Sequence, residues 1–374
     1  MTQFLKSQAG YPPVNDQEII DTPGLKPRIR RLIAKGLFRS GGLRTLIGAV
    51  NRCEPAVSKN GARKFPFITR RRQKALQILI YHRVNNEQDP YFPATPCAVF
   101  EEQMAYLSSQ YVPCSLDEAV TRLQYNDLPD NAVVVTFDDG YRDNFLHAYP
   151  ILTRFRIPAT IFLATSAIGS SRVLWFEQAF TAFRKTRKAT LHAFGNPPTD
   201  YPLGTPRQRL DTQGKVLGML RSLPDEVRQS WLKILLDQLE VGTSPNRAGV
   251  MLSWDEVRLM DQGGIAFGSH TVTHPILSRI SSAQTAFEVE DSKRTIEQQL
   301  GKPVKGLAYP NGSAKDFTET TKRALQEAGY TYAVTTIPGV NRSDENLFEL
   351  RRGTPWEQTI SEFGFRLALM KWSP

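Results

Sequence analysis

From Ala75 onward the chain alternates short apolar runs with stretches whose apolar residues recur every three or four positions. Leu76 to Tyr81 reads as an apolar strand. Val133-Val-Val-Thr-Phe137 reads as a second, its three β-branched valines suited to a strand covered on both faces. Pro158–Ala164, Ile265–Gly268, Val304–Tyr309 and Tyr330–Thr335 predict further strands, and Phe348–Arg352 a segment that closes the sheet. Between them lie a helix opened by the capping box Ser115-Leu-Asp-Glu118 and a helical stretch from Asp143 to about Phe155. A second capping box, Ser253-Trp-Asp-Glu256, opens a helix that stops at Gly263-Gly264, and helices follow over 282–300 and 316–328. Strand, helix and strand at short spacing predict βαβ units and a parallel sheet.

Residues 170–250 break this rhythm. They hold Trp175-Phe-Glu177, a polar Pro-rich stretch from Asn196 to Pro206, and helical patterns near 206–222 and 225–240, with Pro224 suited to a first turn. The expectation is a helical insertion over one face. Before Ala75, residues 1–25 are polar. Residues 27–52 form two short basic amphipathic segments broken at Ser40-Gly41-Gly42, and residues 53–74 look like a linker. The expected layout is an extension and linker over 1–74, a main domain over 75–355 that carries the insertion, and a terminal helix or tail over 356–374.

Composition adds two constraints. Among 374 residues, 40% hydrophobic and 10% aromatic content supports a sizeable core. The net charge of +10 is uneven: residues 1–75 hold 16 basic and 4 acidic residues, against 31 and 33 in the remainder. A near-neutral body argues against nucleic acid as a partner. The basic segments over 27–52 suit an anionic membrane surface, or else pack on the body with a solvated basic face. No apolar run approaches the length of a spanning helix, and the N-terminus lacks a basic-then-apolar leader pattern. Three scattered cysteines, Cys53, Cys97 and Cys114, suit a reducing compartment. The expected location is cytoplasmic, against the inner face of a membrane.

The chemistry gathers at two strand ends. Asp138-Asp139-Gly140 places adjacent carboxylates where repulsion and partial burial disfavour both, unless a metal ion or a shared proton resolves the conflict. The plainer reading is an Asp that caps the next helix. His270-Thr-Val-Thr-His274 also follows a strand, and an i, i+4 pair on one helical turn can set both rings on one side of a metal. Strand ends of one parallel sheet open onto one face. One carboxylate and two imidazoles leave a coordination position open for water, which is the catalytic zinc pattern.

Thr-Phe-Asp138-Asp139-Gly140, then Ser269-His270-Thr-Val-Thr-His274-Pro, then Ala308-Tyr309-Pro310-Asn311-Gly312, together resemble the motifs of the polysaccharide deacetylases. These are carbohydrate esterase family 4, with a NodB-homology fold, and the resemblance spans about residues 76–352. It implies an α/β fold, a distorted (β/α) barrel of fewer than eight repeats. It implies that Asp139, His270 and His274 hold one divalent metal ion, with zinc expected. Asp138 would be the general base toward the attacking water, and the backbone N–H of Asn311 a donor to the oxyanion. Tyr309, in the third motif, would contact substrate.

Two departures follow. The family's third motif reads Arg-x-Pro-Tyr-Gly, but Ala308 and Asn311 stand where the Arg and Tyr would be. Arg351 or Arg352 is the candidate to orient the base, or the two are an ordinary surface pair. The family's late Leu-x-His motif, which carries the general acid, is absent, since no histidine follows His274. His82, at the end of the first strand, is the candidate acid, or else a hydrogen-bonded core histidine. His147 and His192 read as structural. Trp175 could stack on a sugar or simply anchor the insertion. The reading is a metal-dependent hydrolase that removes N-acetyl groups from an amino sugar in a polysaccharide or lipid-linked glycan precursor. The rivals are a hydrolase of another amide or ester, O-acetyl and phosphoester included, and a non-catalytic glycan-binding relic.

Overall fold

The computed structural model describes Gly36 and residues 74–241 and 249–370. The amphipathic segments expected over 27–52 otherwise lie outside the described residues. The main sheet is parallel: β1 (Gln77–Tyr81), β3 (Ala132–Phe137), β4 (Ala159–Leu163), β7 (Ala266–Ser269), β8 (Gly306–Ala308) and β9 (Tyr332–Val334) lie side by side in that order. A two-residue strand, β2 (Val112–Pro113), pairs with the start of β3. The sheet curls because its edges meet. Gly353 N–H donates to Ile78 O at 2.8 Å and Thr335 N–H to Leu350 O at 2.8 Å, so residues 350–353 stitch β9 to β1. This is a distorted (β/α) barrel with fewer than eight repeats.

Strand composition explains its layers. β1, β3 and β4 are buried along their whole length. Alternate residues of β3 serve different cores. Val133, Val135 and Phe137 join the larger one, with α1 (Cys97–Gln110), α3 (Tyr149–Phe155), α7 (Trp254–Gln262) and α8 (Ser282–Leu300). Ala132 and Val134 join a smaller core with α2 (Leu116–Gln124), β8, β9 and Leu350. α9 (Glu319–Glu327) precedes β9. α10 (Ile360–Met370) packs Phe363, Leu367 and Met370 into the larger core.

Two elements differ from the sequence pattern. α1 was not expected, although Phe100, Met104 and Leu107 form its buried stripe. The insertion is not purely helical. α4 (Trp175–Lys185) is followed by an antiparallel hairpin, β5 (Thr190–Phe194) and β6 (Thr199–Pro202), and only then by α5 (Pro206–Ser222) and α6 (Asp225–Gln238). The hairpin's exposed positions carry little alternation, so a period-2 signal is weak there. The insertion has its own core, which reaches the barrel through Phe92, Tyr141 and Ala164.

Candidate metal centre and active site

All the motifs lie at the C-terminal ends of the barrel strands. Asp138 and Asp139 follow β3. In an extended strand, neighbours point to opposite faces. Asp139 instead takes a left-handed φ of 73°, and Gly140 one of 84°. A Cβ on Gly140 would lie 2.8 Å from side-chain atoms of both Leu163 and Ile168, so this turn has no room for another residue. The turn brings both carboxylates toward the same imidazole: His270 Nε2 lies 3.4 Å from Asp139 Oδ1 and 4.0 Å from Asp138 Oδ2.

His270 and His274 do not share a helical turn, as their spacing had suggested. They sit on a loop after β7, with φ of 67° at Thr271 and 61° at His274. Glu288, buried on α8, holds the loop in shape. It accepts from Val272 N–H at 2.7 Å, Thr273 N–H at 2.9 Å and the Thr273 hydroxyl at 2.6 Å. Nothing in the sequence ties Glu288 to a motif 15 residues upstream, though a lone acid on the buried face of a helix was a signal.

Asp139, His270 and His274 are buried, and one ligand atom of each lies within 4.8 Å of the others. His274 Nε2 is 3.4 Å from Asp139 Oδ1, like that of His270. Neither Asp139 oxygen has a hydrogen-bond partner among the described residues. His270 Nδ1 faces Ala308 O at 2.7 Å. A carbonyl only accepts, so the proton of a neutral ring is on Nδ1, and the Nε2 lone pair points at the carboxylate. Two lone pairs facing at 3.4 Å need a cation between them or a proton on the ring. Ligands at about 2.0–2.1 Å from a tetrahedral zinc stand about 3.4 Å apart. These residues therefore fit a small divalent ion. Burial, together with His270 beside it, lowers the His274 pKa to about 3, which keeps that imidazole neutral and able to ligate.

Asp138 has a different environment. Arg352 Nη1 and Nη2 donate to its two oxygens at 2.8 and 2.7 Å. Arg352 also donates to Thr335 O at 2.7 Å and to the Thr136 hydroxyl at 3.1 Å, and is 1% exposed. Burial pushes the Asp138 pKa up, but Arg352 and then His270 outweigh it and bring it to about 2. Arg351, the other candidate, lies with its aliphatic stem against Gly339.

His82 follows β1, half-buried, and lines a concavity with Phe92, Thr95, Thr354, Pro355 and Trp356. Burial lowers its pKa, and the charges of Asp139 and Asp138 partly oppose that. Residues just beyond the Asp pair hold its segment: Asn144 Nδ2 donates to His82 O at 2.9 Å, and Asp143 pairs with Arg83 at 2.8 Å and accepts from Asn85 at 2.7 Å. Asn311 takes a φ of 58° at the mouth of β8, and the hydrogen bonds of its turn run from Gly312 and Thr336 rather than from its own N–H.

Tyr309 and Trp175, expected to meet substrate, are both buried. Tyr309 stacks on Phe317 at 4.3 Å and donates its hydroxyl to Phe348 O at 2.9 Å. The Trp175 ring lies under the Arg228 guanidinium at 4.6 Å, and its indole N–H donates to His274 O at 3.2 Å. Packing with its neighbours occupies each ring, and neither side chain leaves an open face for a sugar. His147 and His192 are exposed.

The profile described as Polysaccharide deacetylase matches residues 125–333, more than half of the chain. YxkH of Bacillus subtilis (strain 168), a protein named as a polysaccharide deacetylase, is 24% identical over 279 residues, 74% of this chain and 70% of that protein. The poly-beta-1,6-N-acetyl-D-glucosamine N-deacetylase of Escherichia coli (strain K12) is 35% identical over 82 residues, 21% of this chain and 12% of that protein. Among solved structures, the Streptococcus pyogenes deacetylase PplD in complex with acetate superposes with a TM-score of 0.54 at 20% identity, over 79% of this chain and 99% of that one. IcaB from Ammonifex degensii gives 0.51 at 19%, over 80% and 97%. At these identities the structures speak for the fold, and the profile for the family. Barrel, motif order and profile match agree: the chain belongs to the polysaccharide deacetylase family.

Proposed function

We propose that the chain is a metal-dependent hydrolase that removes N-acetyl groups from an amino sugar in a glycan. The observation that carries this reading is the different treatment of the two aspartates. Asp139 is left without donors among two imidazoles, while Asp138 is held ionised by Arg352 within reach of the same ring. A bound divalent ion, for which zinc is the expected identity, would polarise the acetyl carbonyl and acidify water at the position left open by Asp139, His270 and His274.

The residues then divide the proton work. Asp138 accepts a proton from the water as its oxygen bonds to the acetyl carbon. Arg352 keeps that carboxylate oriented and charged. The Asn311 N–H would donate to the carbonyl oxygen as it gains charge, a contact worth roughly 3 kcal/mol in comparable sites. As the C–N bond breaks, His82 delivers a proton to the leaving nitrogen, and acetate and the free amine depart. The protonated ring is the working form, and burial lowers its pKa from the ordinary imidazole range. Rate should therefore fall as rising pH deprotonates the ring, and His82→Asn should abolish this limb.

The test is release of primary amine and acetate from β-1,6-linked N-acetylglucosamine oligomers by the zinc-loaded chain, with Asp138→Asn as the inactive control. Zinc binding without turnover on N-acetylated or O-acetylated oligomers would overturn the reading. Attachment to an anionic membrane through residues 27–52 is a separate proposal that rests on their basic amphipathic pattern. No described helix is long and apolar enough to cross a membrane. Vesicle co-sedimentation of the full chain, compared with a variant lacking residues 1–52, tests the attachment.

A further inference from the structure

The two imidazoles of the centre are held in different ways. His270 has the usual support for a ligating histidine, a hydrogen bond from its distal ring nitrogen to a backbone carbonyl, at 2.7 Å from Ala308 O. The Nδ1 of His274 is buried and has no partner among the described residues. Its backbone also sits at a φ of 61°, which a β-carbon disfavours. Something else must fix this ring.

The insertion supplies the contacts. Trp175 and Phe176 open α4. The Trp175 indole N–H donates to His274 O at 3.2 Å, and the Phe176 ring meets the His274 imidazole edge to face, centroids 4.9 Å apart. Trp175 is itself pinned, with the guanidinium of Arg228 from α6 4.6 Å above its ring and Asp225 paired to that guanidinium. The next residue, Glu177, accepts from the Tyr141 hydroxyl at 2.9 Å, beside the Asp139-Gly140 turn. Three consecutive residues of one helical turn thus touch both ligand-bearing loops.

We infer that Trp175 and Phe176 are positioning residues for His274, and that they replace the ring-nitrogen hydrogen bond that His270 has. The inference rests on reading Asp139, His270 and His274 as metal ligands. It makes the insertion part of the metal centre, and it gives Trp175 a task other than stacking on a sugar.

Zinc affinity measured by chelator competition tests this, together with the visible absorption of the cobalt(II)-loaded chain, which reports ligand geometry. Trp175→Phe keeps a ring and removes only the donor. Loss of such outer contacts weakens metal binding roughly 10- to 100-fold, and the lower end is expected here, with an altered cobalt spectrum. Phe176→Leu leaves the indole in place and should also weaken zinc, which covers a Trp175→Phe chain that fails to fold. Trp231→Phe is the control. That ring packs on Phe194 at 5.0 Å, in the insertion but outside the turn that meets His274, and its loss should leave zinc affinity at the wild-type value. Unchanged affinity and spectrum in Trp175→Phe and Phe176→Leu would overturn the inference, as would an equal loss in Trp231→Phe. A wild-type chain that binds neither ion overturns the ligand reading itself, and this inference with it.

Discussion

Asp138 and Asp139 are neighbours in sequence and sit at one mouth, yet the fold completes one and leaves the other unfinished. Around Asp138, the guanidinium of Arg352 meets both carboxylate oxygens, and two further donors of that Arg go to Thr136 and Thr335. Around Asp139 both oxygens lack donors among the described residues, and Nε2 of His270 and of His274 each lie 3.4 Å from its Oδ1. Uncompensated buried polar atoms cost stability, so the second arrangement calls for a positive partner, a bound cation or a proton on the ring. The difference teaches that burial and local sequence do not separate the roles of paired acids. What separates them is whether the fold supplies a counter-charge of its own.

The largest effect should come from neutralising each acid in turn. Asp138→Asn should retain zinc and lose about 10²–10⁴ in kcat, whereas Asp139→Asn should lose zinc itself, read by metal content after desalting. Equal zinc loss in both would erase the distinction.

Next in size is Arg352→Met, which strands a buried carboxylate. Unfolding free energy should fall by about 3–5 kcal/mol in denaturant titrations, and the added change Asp138→Asn should recover much of it. The same pair sets a pH window. The folded-state pKa of Asp138 is about 2, below the ordinary carboxylate value of about 3.9. Its stabilisation is therefore present above about pH 4 and is lost as pH falls toward 2. That slope should be missing from the acid unfolding curve of Asp138→Asn.

A smaller effect is expected from zinc on the wild type. At 100 times its Kd, an ion that binds only the folded chain adds about 2.7 kcal/mol, and His274→Ala should show no such rise in Tm. Smallest is Arg228→Met. Nε and Nη1 of this guanidinium are buried without partners among the described residues, a cost that offsets its Asp225 pair and its contact with Trp175, so an apolar side chain of similar length should leave stability within about 1 kcal/mol of wild type.

The sequence made the strand ends legible because buried β-branched runs and the residues after them are local features. Asp138, Asp139, His270 and His274 could be named for that reason; the strand–helix rhythm predicted the parallel sheet, and the barrel was what the resemblance to the deacetylases implied. What stayed illegible was decided at a distance. The spacing of His270 and His274 is the same on a helix as on a loop, and Glu288 on α8 helps to hold the loop. Arg351 and Arg352 are equivalent in composition. The register of the closing segment turns Arg352 inward, with its backbone N–H donating to Ile337 O at 3.0 Å. Trp175 invited a sugar-stacking reading because Trp can serve either use, and only the Arg228 and His274 contacts distinguish them.

The stitch at residues 350–353 also fixes an order of events. Chains are synthesised from the N-terminus, and Asp139, His270 and His274 all precede this segment. A nascent or clipped barrel could already hold the cluster while Asp138 has no guanidinium to face. If Asp138 is the base, the segment works as an interlock: Arg352, which would orient it, arrives on the strip that ties β9 to β1. Under the proposed function, hydrolytic competence would then report closure of the barrel.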